Sequence, residues 1–245
     1  MGFQTISGHD DPFYAGMPRY HFDAAEDSAL YARAVQWMQQ QSQQPYFLVL
    51  ETVSSHQPYF DPVAKKPSME GAFRYTDDAL GKFLDQLESD GFLEQGLVIV
   101  TGDHRAMVPA SEQEREALGV DHLSRVPLLM LGASAEVAQE SGRFSQLDLL
   151  PSLQQLLLPG QTCRYTGQGI WNTGSMAPAS CTFMVRAQDP DKEFVQCGEQ
   201  VFQVLLDAEH TQYRGLQGPR PYLDAIHVQR VPVHQKPAPE GAAIP

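Results

Sequence analysis

The stretch Gly96-Leu-Val-Ile-Val-Thr-Gly-Asp103-His104-Arg105 decides how the chain is organised. Its apolar run Leu97 to Val100 is rich in β-branched residues and predicts a buried strand that Thr101-Gly102 ends. Ligands of open α/β sheets bind at the carboxyl ends of strands, where this strand delivers Asp103 and His104. Successive strand side chains point to opposite faces, so both can reach one cation only at a sharp turn, which a glycine permits. The stretch therefore predicts a divalent-metal site at Asp103 and His104; the alternative is a loop pair that caps the next segment.

Length, composition and charge limit the fold and the partners. With 245 residues, 42% of them hydrophobic, the chain can form one large α/β domain or a domain with an appendage. Its 17 basic and 30 acidic residues give a net charge of −13, which disfavours nucleic acid and anionic membrane surfaces as partners. An anionic substrate is not excluded, because a bound cation inverts the local field. We expect neither a membrane-spanning helix nor a signal peptide, since no apolar run approaches ~20 residues and the first residues are not basic.

The three cysteines do not indicate a compartment. Cys163, Cys181 and Cys197 lie in the last third of the chain without a CxxC spacing. A disulfide between two of them and three reduced, buried thiols are both compatible with this pattern.

Alternating helix and strand patterns predict an α/β fold, with a layered, mostly parallel sheet flanked by helices. Apolar spacing predicts a helix over 23–43, with Asp27-Ser28 as its N-terminal cap, and an amphipathic helix over 75–89. The other predicted elements are strands at 45–52 and 126–131, a short surface helix at 111–119 and a helix at 145–158.

The composition and the hydrophobic pattern of the sequence change after about residue 160. We expect residues 1–160 to form the α/β domain and residues 161–230 to form a small antiparallel β-rich extension of it, with strands near 182–185, 193–195 and 200–206. Residues 231–245 carry four prolines and form a tail that is disordered or draped over the surface.

Two further loops carry candidate site residues. His56 follows the predicted strand 45–52, just as Asp103 and His104 follow theirs, which favours a common site at one sheet edge. The alternative is a loop histidine held by a backbone carbonyl. His122, with Asp121, precedes the strand at 126–131 and is either part of the site or a solvated loop residue.

Five motifs occur in order along the chain: Ser55-His56-Gln-Pro-Tyr, Tyr75-Thr-Asp-Asp-Ala-Leu-Gly-Lys-Phe, Thr101-Gly-Asp-His104, Arg125-Val-Pro-Leu and Asp148-Leu-Leu-Pro-Ser-Leu. Together they resemble the motifs of sulfatase-like enzymes of the alkaline-phosphatase superfamily. Their order and spacing hold over about residues 25–170, and the closest branch is that of lipoteichoic acid synthase and related phosphoglycerol or phosphoethanolamine transferases.

This resemblance implies roles for the candidate residues. Asp103 and His104 would ligate a divalent metal (manganese, magnesium or zinc), and His56 would bind the transferred phosphate or sulfate group. The cation would activate a nucleophile and neutralise charge on the transferring group. His122 is carried over as a further catalytic histidine. Arg105 stands where the family has a glycine; its planar fork could reach a phosphate, the alternative being a surface arginine.

The resemblance also implies that the chain is the C-terminal part of a catalytic domain. The family's nucleophilic threonine, an acidic metal ligand and N-terminal membrane helices lie upstream of the matched segments. We therefore expect weak metal binding and no turnover by this chain alone.

The implied function is part of a metal-dependent enzyme that transfers or hydrolyses a phosphoryl-linked head group of a phospholipid or phosphorylated glycan. Its implied location is extracytoplasmic, in the periplasm or on the outer face of the inner membrane. The alternatives are a non-catalytic protein that keeps the fold for binding or assembly, and an arylsulfatase fragment, which the absence of a C/S-x-P-x-R motif disfavours. The oligomeric state is not indicated.

Overall fold

A computed structural model describes residues 3–41, 45–132, 146–158, 181–186, 189–197, 200–206 and 213–216. Contacts divide the chain into two compact units, Met1–Gly96 and Leu97–Pro245. The predicted boundaries near residues 160 and 230 stay predictions, and the tail 231–245 lies outside the described residues.

Two helices form the core of the first unit. Helix α1 spans Asp27–Met38 and helix α2 spans Met69–Ser89. They pack together through Tyr31 and Phe83, whose rings stack at 4.6 Å with 11° between their planes. A short antiparallel hairpin of β1 (Phe60–Asp61) and β2 (Lys66–Pro67) precedes α2. The buried apolar side chains on the two helices are Tyr31, Ala34, Ala72, Ala79, Phe83 and Leu87.

Both helices have bounds that differ from the predicted ones. Helix α2 begins six residues earlier than residue 75, because the Ser68 hydroxyl caps it by accepting from the Gly71 N–H at 2.9 Å. Helix α1 begins later than residue 23, because His21–Asp23 form a separate 3-10 turn in which Phe22 has a φ of 54°. Gly91, at a φ of 73°, follows the end of α2 in the left-handed conformation that glycine favours.

The predicted strand over 45–52 is not formed as a strand: these residues have no regular secondary structure and belong to no ladder within the part of the chain that is described. Its side chains alternate as those of a strand do: Phe47 and Val49 are exposed, whereas Tyr46 is half-buried and meets Trp37 edge-on at 5.2 Å. A ladder needs a neighbouring strand, and none of the described segments of the first unit supplies one here.

The second unit contains the central strand. Strand β3 (Leu97–Thr101) pairs antiparallel with β4 (Leu128–Gly132), so that Leu97 lies opposite Gly132 and Thr101 opposite Leu128. The short helix predicted at 111–119 is confirmed as α3 (Glu112–Leu118). The helix predicted at 145–158 is a 3-10 turn followed by α4 (Leu149–Leu157).

Four further strands form an antiparallel sheet in the order β5-β6-β7-β8. This sheet confirms the antiparallel strands predicted after residue 160, and it adds a fourth strand that the sequence did not indicate. Cys181 and Cys197 occupy opposite positions of the β5–β6 ladder, whereas Cys163 lies outside the described residues. The strands are Cys181–Arg186, Asp189–Cys197, Gln200–Leu206 and Tyr213–Leu216.

Among the helices that can be described, none is both long and apolar enough to cross a membrane.

Candidate functional site

Asp103 and His104 form a closed turn at the carboxyl end of β3. The His104 backbone N–H donates to Asp103 Oδ1 at 2.8 Å, and Asp103 Oδ2 lies 3.6 Å from His104 Nε2. The other ring nitrogen, His104 Nδ1, lies 2.7 Å from the Arg105 carbonyl oxygen. Both side chains are open to solvent, Asp103 at 88% and His104 at 52% relative exposure. A ligand from solvent can therefore reach both.

The donor atoms of this turn fit one divalent cation. A carbonyl oxygen can only accept, so His104 Nδ1 must carry the proton and the neutral ring keeps its lone pair on Nε2. This is the second-sphere arrangement that metal-bound histidines commonly show. Two donors 3.6 Å apart can both lie about 2.1 Å from one cation, with an angle of about 120° between them.

The turn depends on Gly102 for space. A Cβ at Gly102 would lie 3.3 Å from the His104 carbonyl oxygen and 3.6 Å from the Val126 Cβ. The sharp turn predicted at Gly102 is therefore present. It favours glycine because the His104 backbone comes close to this position, and not because Gly102 adopts a left-handed φ. The Gln146 side-chain amide also holds the turn, donating to the carbonyls of Gly102 at 2.6 Å and of Asp103 at 2.9 Å.

Two nitrogens of the Arg105 guanidinium form hydrogen bonds. Its NH1 donates to the carbonyls of Ala106 at 3.0 Å and Val108 at 2.7 Å, and its NH2 contacts both carboxylate oxygens of Glu114 at 2.8 and 2.9 Å. The hydrogen bond from Arg105 lowers the pKa of Glu114 below its usual value. The predicted contact between Arg105 and a phosphate stays a prediction, and a phosphate would compete with Glu114 for the same fork.

His122 lies in a 3-10 turn, Gly119–Leu123, in the same unit. Its Nδ1 lies 2.5 Å from the Gly119 carbonyl oxygen, which again leaves Nε2 as the atom with the lone pair. Its neighbour Asp121 accepts a hydrogen bond from the Gln196 amide on β6.

His56 lies in the first unit, in the loop that follows residues 45–52. Its Nδ1 lies 2.5 Å from the Gln57 carbonyl oxygen, so the carbonyl-held histidine that the sequence offered as an alternative is what the structure shows. This contact is compatible with function, because it leaves Nε2 available. A neutral Nε2 accepts a proton or binds a cation; it attracts an anion only when the ring is protonated.

Two residues that the sequence did not single out place their rings close to the His56 ring. The Phe22 ring meets the His56 ring edge-on at 4.8 Å, and the His21 ring lies 6.0 Å away. Phe22 and Asp23 both have left-handed backbone, with φ of 54° and 56°. The only signal in the sequence was the aromatic run Tyr20-His21-Phe22 in the irregular lead-in, and strand-edge reasoning does not point to it.

The loop before His56 is anchored by a fully buried carboxylate. Asp27, at 0% exposure, accepts at Oδ1 from the backbone N–H groups of Val53 at 2.9 Å and Ser54 at 3.0 Å. The Asp27 N–H donates in turn to the Ser54 hydroxyl at 3.1 Å. Thr76 on α2 contacts Asp27 Oδ2 at 3.5 Å. Both helices therefore fix the loop that carries His56.

The predicted site residues are distributed over both units. His56 belongs to the first, and Asp103, His104, Arg105 and His122 belong to the second. The second unit brings Asp103 next to His104, and it brings Arg105 next to Glu114. Within the described ranges, no group of three or more His, Cys, Asp or Glu residues is arranged to hold a metal ion.

Comparison with known proteins identifies the fold. A family model described as Sulfatase matches residues 2–158. A protein in the alkaline phosphatase superfamily from Vibrio parahaemolyticus superposes with a TM-score of 0.61 at 21% identity, over 86% of this chain and 54% of its own. The lipoteichoic acid synthase LtaP from Listeria monocytogenes superposes with a TM-score of 0.54 at 19% identity, over 84% of this chain and 57% of its own.

These neighbours confirm the predicted α/β fold class, that of the alkaline-phosphatase-like proteins. The predicted mostly parallel arrangement is not found among the described strands, whose ladders are antiparallel, that of the central strand β3 with β4 included. The chain spans about half the length of each of them. A search of curated protein sequences finds no match.

Proposed function

Because the chain belongs to the sulfatase family, we propose that it supplies metal-binding and phosphate-binding residues of a sulfatase-like enzyme. The enzyme would transfer or hydrolyse a phosphoryl-linked head group, phosphoglycerol or phosphoethanolamine, carried by a phospholipid or a phosphorylated glycan. The name of the Listeria neighbour, a lipoteichoic acid synthase, supports this substrate class and an extracytoplasmic location. The nucleophile, a threonine by resemblance, would come from polypeptide N-terminal to the matched segments.

The observation that carries the proposal is the pairing of Asp103 and His104. Their donor atoms lie 3.6 Å apart, and the Arg105 carbonyl fixes the His104 ring in the tautomer that presents its Nε2 lone pair. They would hold Mn²⁺, Mg²⁺ or Zn²⁺, which when bound supplies neutralising charge for the phosphoryl group and activates the nucleophile. Two ligands make a weak site, so further ligands from the complete domain would tighten it.

The remaining residues would act on the substrate. His56 would orient the phosphate as an imidazolium, since its Nδ1 is already engaged by the Gln57 carbonyl and only a protonated Nε2 donates. His122 would use its Nε2 in the same way or accept a proton from the incoming group. The net charge of −13 makes the cation more important, because without it the protein's own field would repel an anionic substrate.

Calorimetric titration of the full chain with Mn²⁺, Mg²⁺ and Zn²⁺ tests the metal site. We expect weak but measurable binding of at least one cation and its loss in the double variant Asp103→Ala/His104→Ala. The matched control is His9→Ala/Asp10→Ala, which removes another adjacent, exposed pair of the same residue types. Binding that the Asp103→Ala/His104→Ala variant retains, or no binding by the wild-type chain, would refute the proposal that these residues hold the cation.

A further inference from the structure

The position of the His104 ring depends on the residue that follows it. The Arg105 carbonyl accepts from His104 Nδ1 at 2.7 Å, and this contact determines which ring nitrogen is left for a ligand. If the carbonyl turned away, the neutral ring could place its proton on either nitrogen and lose its fixed orientation. The peptide between Arg105 and Ala106 therefore has to be held in place.

The Arg105 side chain makes contacts that hold the backbone immediately after this peptide. It folds back over its own loop and donates to the Ala106 and Val108 carbonyls at 3.0 and 2.7 Å. These two bonds leave the other end of the fork, NH2, for one further partner. Glu114 takes that position: both of its carboxylate oxygens accept from this one nitrogen, at 2.8 and 2.9 Å, in charge-assisted hydrogen bonds.

Glu114 is itself held in place by the helix that carries it. It lies in the first turn of α3, and the Ser111 hydroxyl that caps this helix accepts from the Glu114 N–H at 3.1 Å. The Arg105 side chain is only 20% exposed and that of Glu114 only 34%, so the pair is less open to solvent than an ordinary surface ion pair. A continuous chain of contacts thus leads from α3 to the His104 ring.

We propose that Glu114 is a positioning residue for the cation site. By clamping the Arg105 fork it fixes the Arg105 carbonyl, and this carbonyl holds His104 with Nε2 facing the cation. The inference rests on the proposed function of Asp103 and His104 as cation ligands. This role of Glu114 differs from that of a purely stabilising ion pair in one respect: loss of Glu114 should weaken metal binding far more than it weakens the fold.

The test compares Glu114→Gln with Glu112→Gln in the full chain. Both variants remove one carboxylate charge from the first turn of α3, but only the first weakens the contact with Arg105, because it removes the charge and one of the two oxygens that NH2 contacts. Zn²⁺ affinity is measured by calorimetry, the His104 tautomer by ¹⁵N NMR without metal at a pH where the ring is neutral, and folding by thermal melting. We expect Glu114→Gln to lower affinity about 10-fold, the lower end of the range for outer-sphere changes. We also expect it to convert His104 from the Nδ1–H form to a mixture. Glu112→Gln should match the wild type.

Arg105→Lys provides the second variant. It keeps the positive charge and loses the planar fork, so it should reproduce the effect of Glu114→Gln even if that substitution disturbs α3. An unchanged tautomer and affinity in both variants would overturn the inference and leave the proposed function standing. Absence of Zn²⁺ binding by the wild type would instead overturn the proposed function, and the metal-free tautomer measurement would still decide whether Glu114 orients His104.

Discussion

Asp27→Ala is the substitution that should most strongly disturb the loop carrying His56. The Asp27 carboxylate is fully buried and accepts from the N–H groups of Val53 and Ser54, three and two residues before His56. Alanine cannot accept these bonds, so both N–H groups lose their partner. The change leaves the apolar contact between α1 and α2 through Tyr31 and Phe83 in place.

The expected loss of unfolding free energy follows from the number of backbone N–H donors left without a partner. Each buried N–H that loses its acceptor costs about 1–3 kcal/mol, which gives about 2–6 kcal/mol for the two together, with a central value of about 4 kcal/mol. Natural domains have unfolding free energies of about 5–15 kcal/mol, so this is a large fraction of the total. The corresponding decrease in Tm is about 10 °C for a chain of this size.

Urea denaturation of the full chain, followed by circular dichroism and by the fluorescence of Trp37 on α1, measures the effect. The control is Asp78→Ala, which removes an exposed carboxylate from α2 and should change the unfolding free energy by less than about 0.5 kcal/mol. Asp27→Asn should lie between the two, since its amide oxygen still accepts. If Asp27→Ala and Asp78→Ala unfold at the same urea concentration, Asp27 does not anchor the loop.

Two further predictions concern the helices of the first unit. Burial raises the pKa of Tyr31 to about 12, whereas a tyrosine of the unfolded chain has a pKa of about 10. The contribution of Tyr31 to folding stability is therefore fully present below pH ~10 and is lost as the pH rises from ~10 to ~12. Phenolate absorbance against pH should show this late step and Tyr31→Phe should lack it; ionisation of Tyr31 near pH 10 would contradict the burial argument. A Cβ added at Gly71 would lie 2.3 Å from Asp61 Oδ2, whereas one added at Gly81 meets nothing within 4 Å. In urea denaturation, Gly71→Ala should therefore destabilise by about 1–3 kcal/mol and Gly81→Ala should stabilise α2 by up to about 1 kcal/mol; equal effects would contradict the close contact.

The sequence predicted best those features that depend on neighbouring residues. Asp103 and His104 are adjacent, so a strand end and a glycine were sufficient to predict that they share a turn, and the structure has that turn. The short helix at 111–119 was predicted from its local pattern in the same way. The family's motifs, in order along the chain, indicated the fold class that the structural neighbours confirm.

Contacts between distant residues could not be predicted. Asp27 was interpreted as a helix cap because it precedes an apolar-periodic segment; in the structure it is the first residue of α1 and its side chain reaches Val53 and Ser54. Nothing in the local sequence pairs Arg105 with Glu114, because the pairing depends on how the loop between them folds. The strand over 45–52 was predicted from its composition, but a ladder also needs a partner strand, which composition does not reveal.

Diffraction from crystals of the full chain, soaked with one equivalent of Zn²⁺ and measured at the zinc absorption edge, tests the central claim most directly. The wild-type crystal should show one anomalous peak about 2.1 Å from both Asp103 Oδ2 and His104 Nε2. The same experiment on Asp103→Ala/His104→Ala should show no peak there. A wild-type map without a peak between these two atoms, or zinc bound only elsewhere on the protein, would contradict the assignment of Asp103 and His104 as cation ligands.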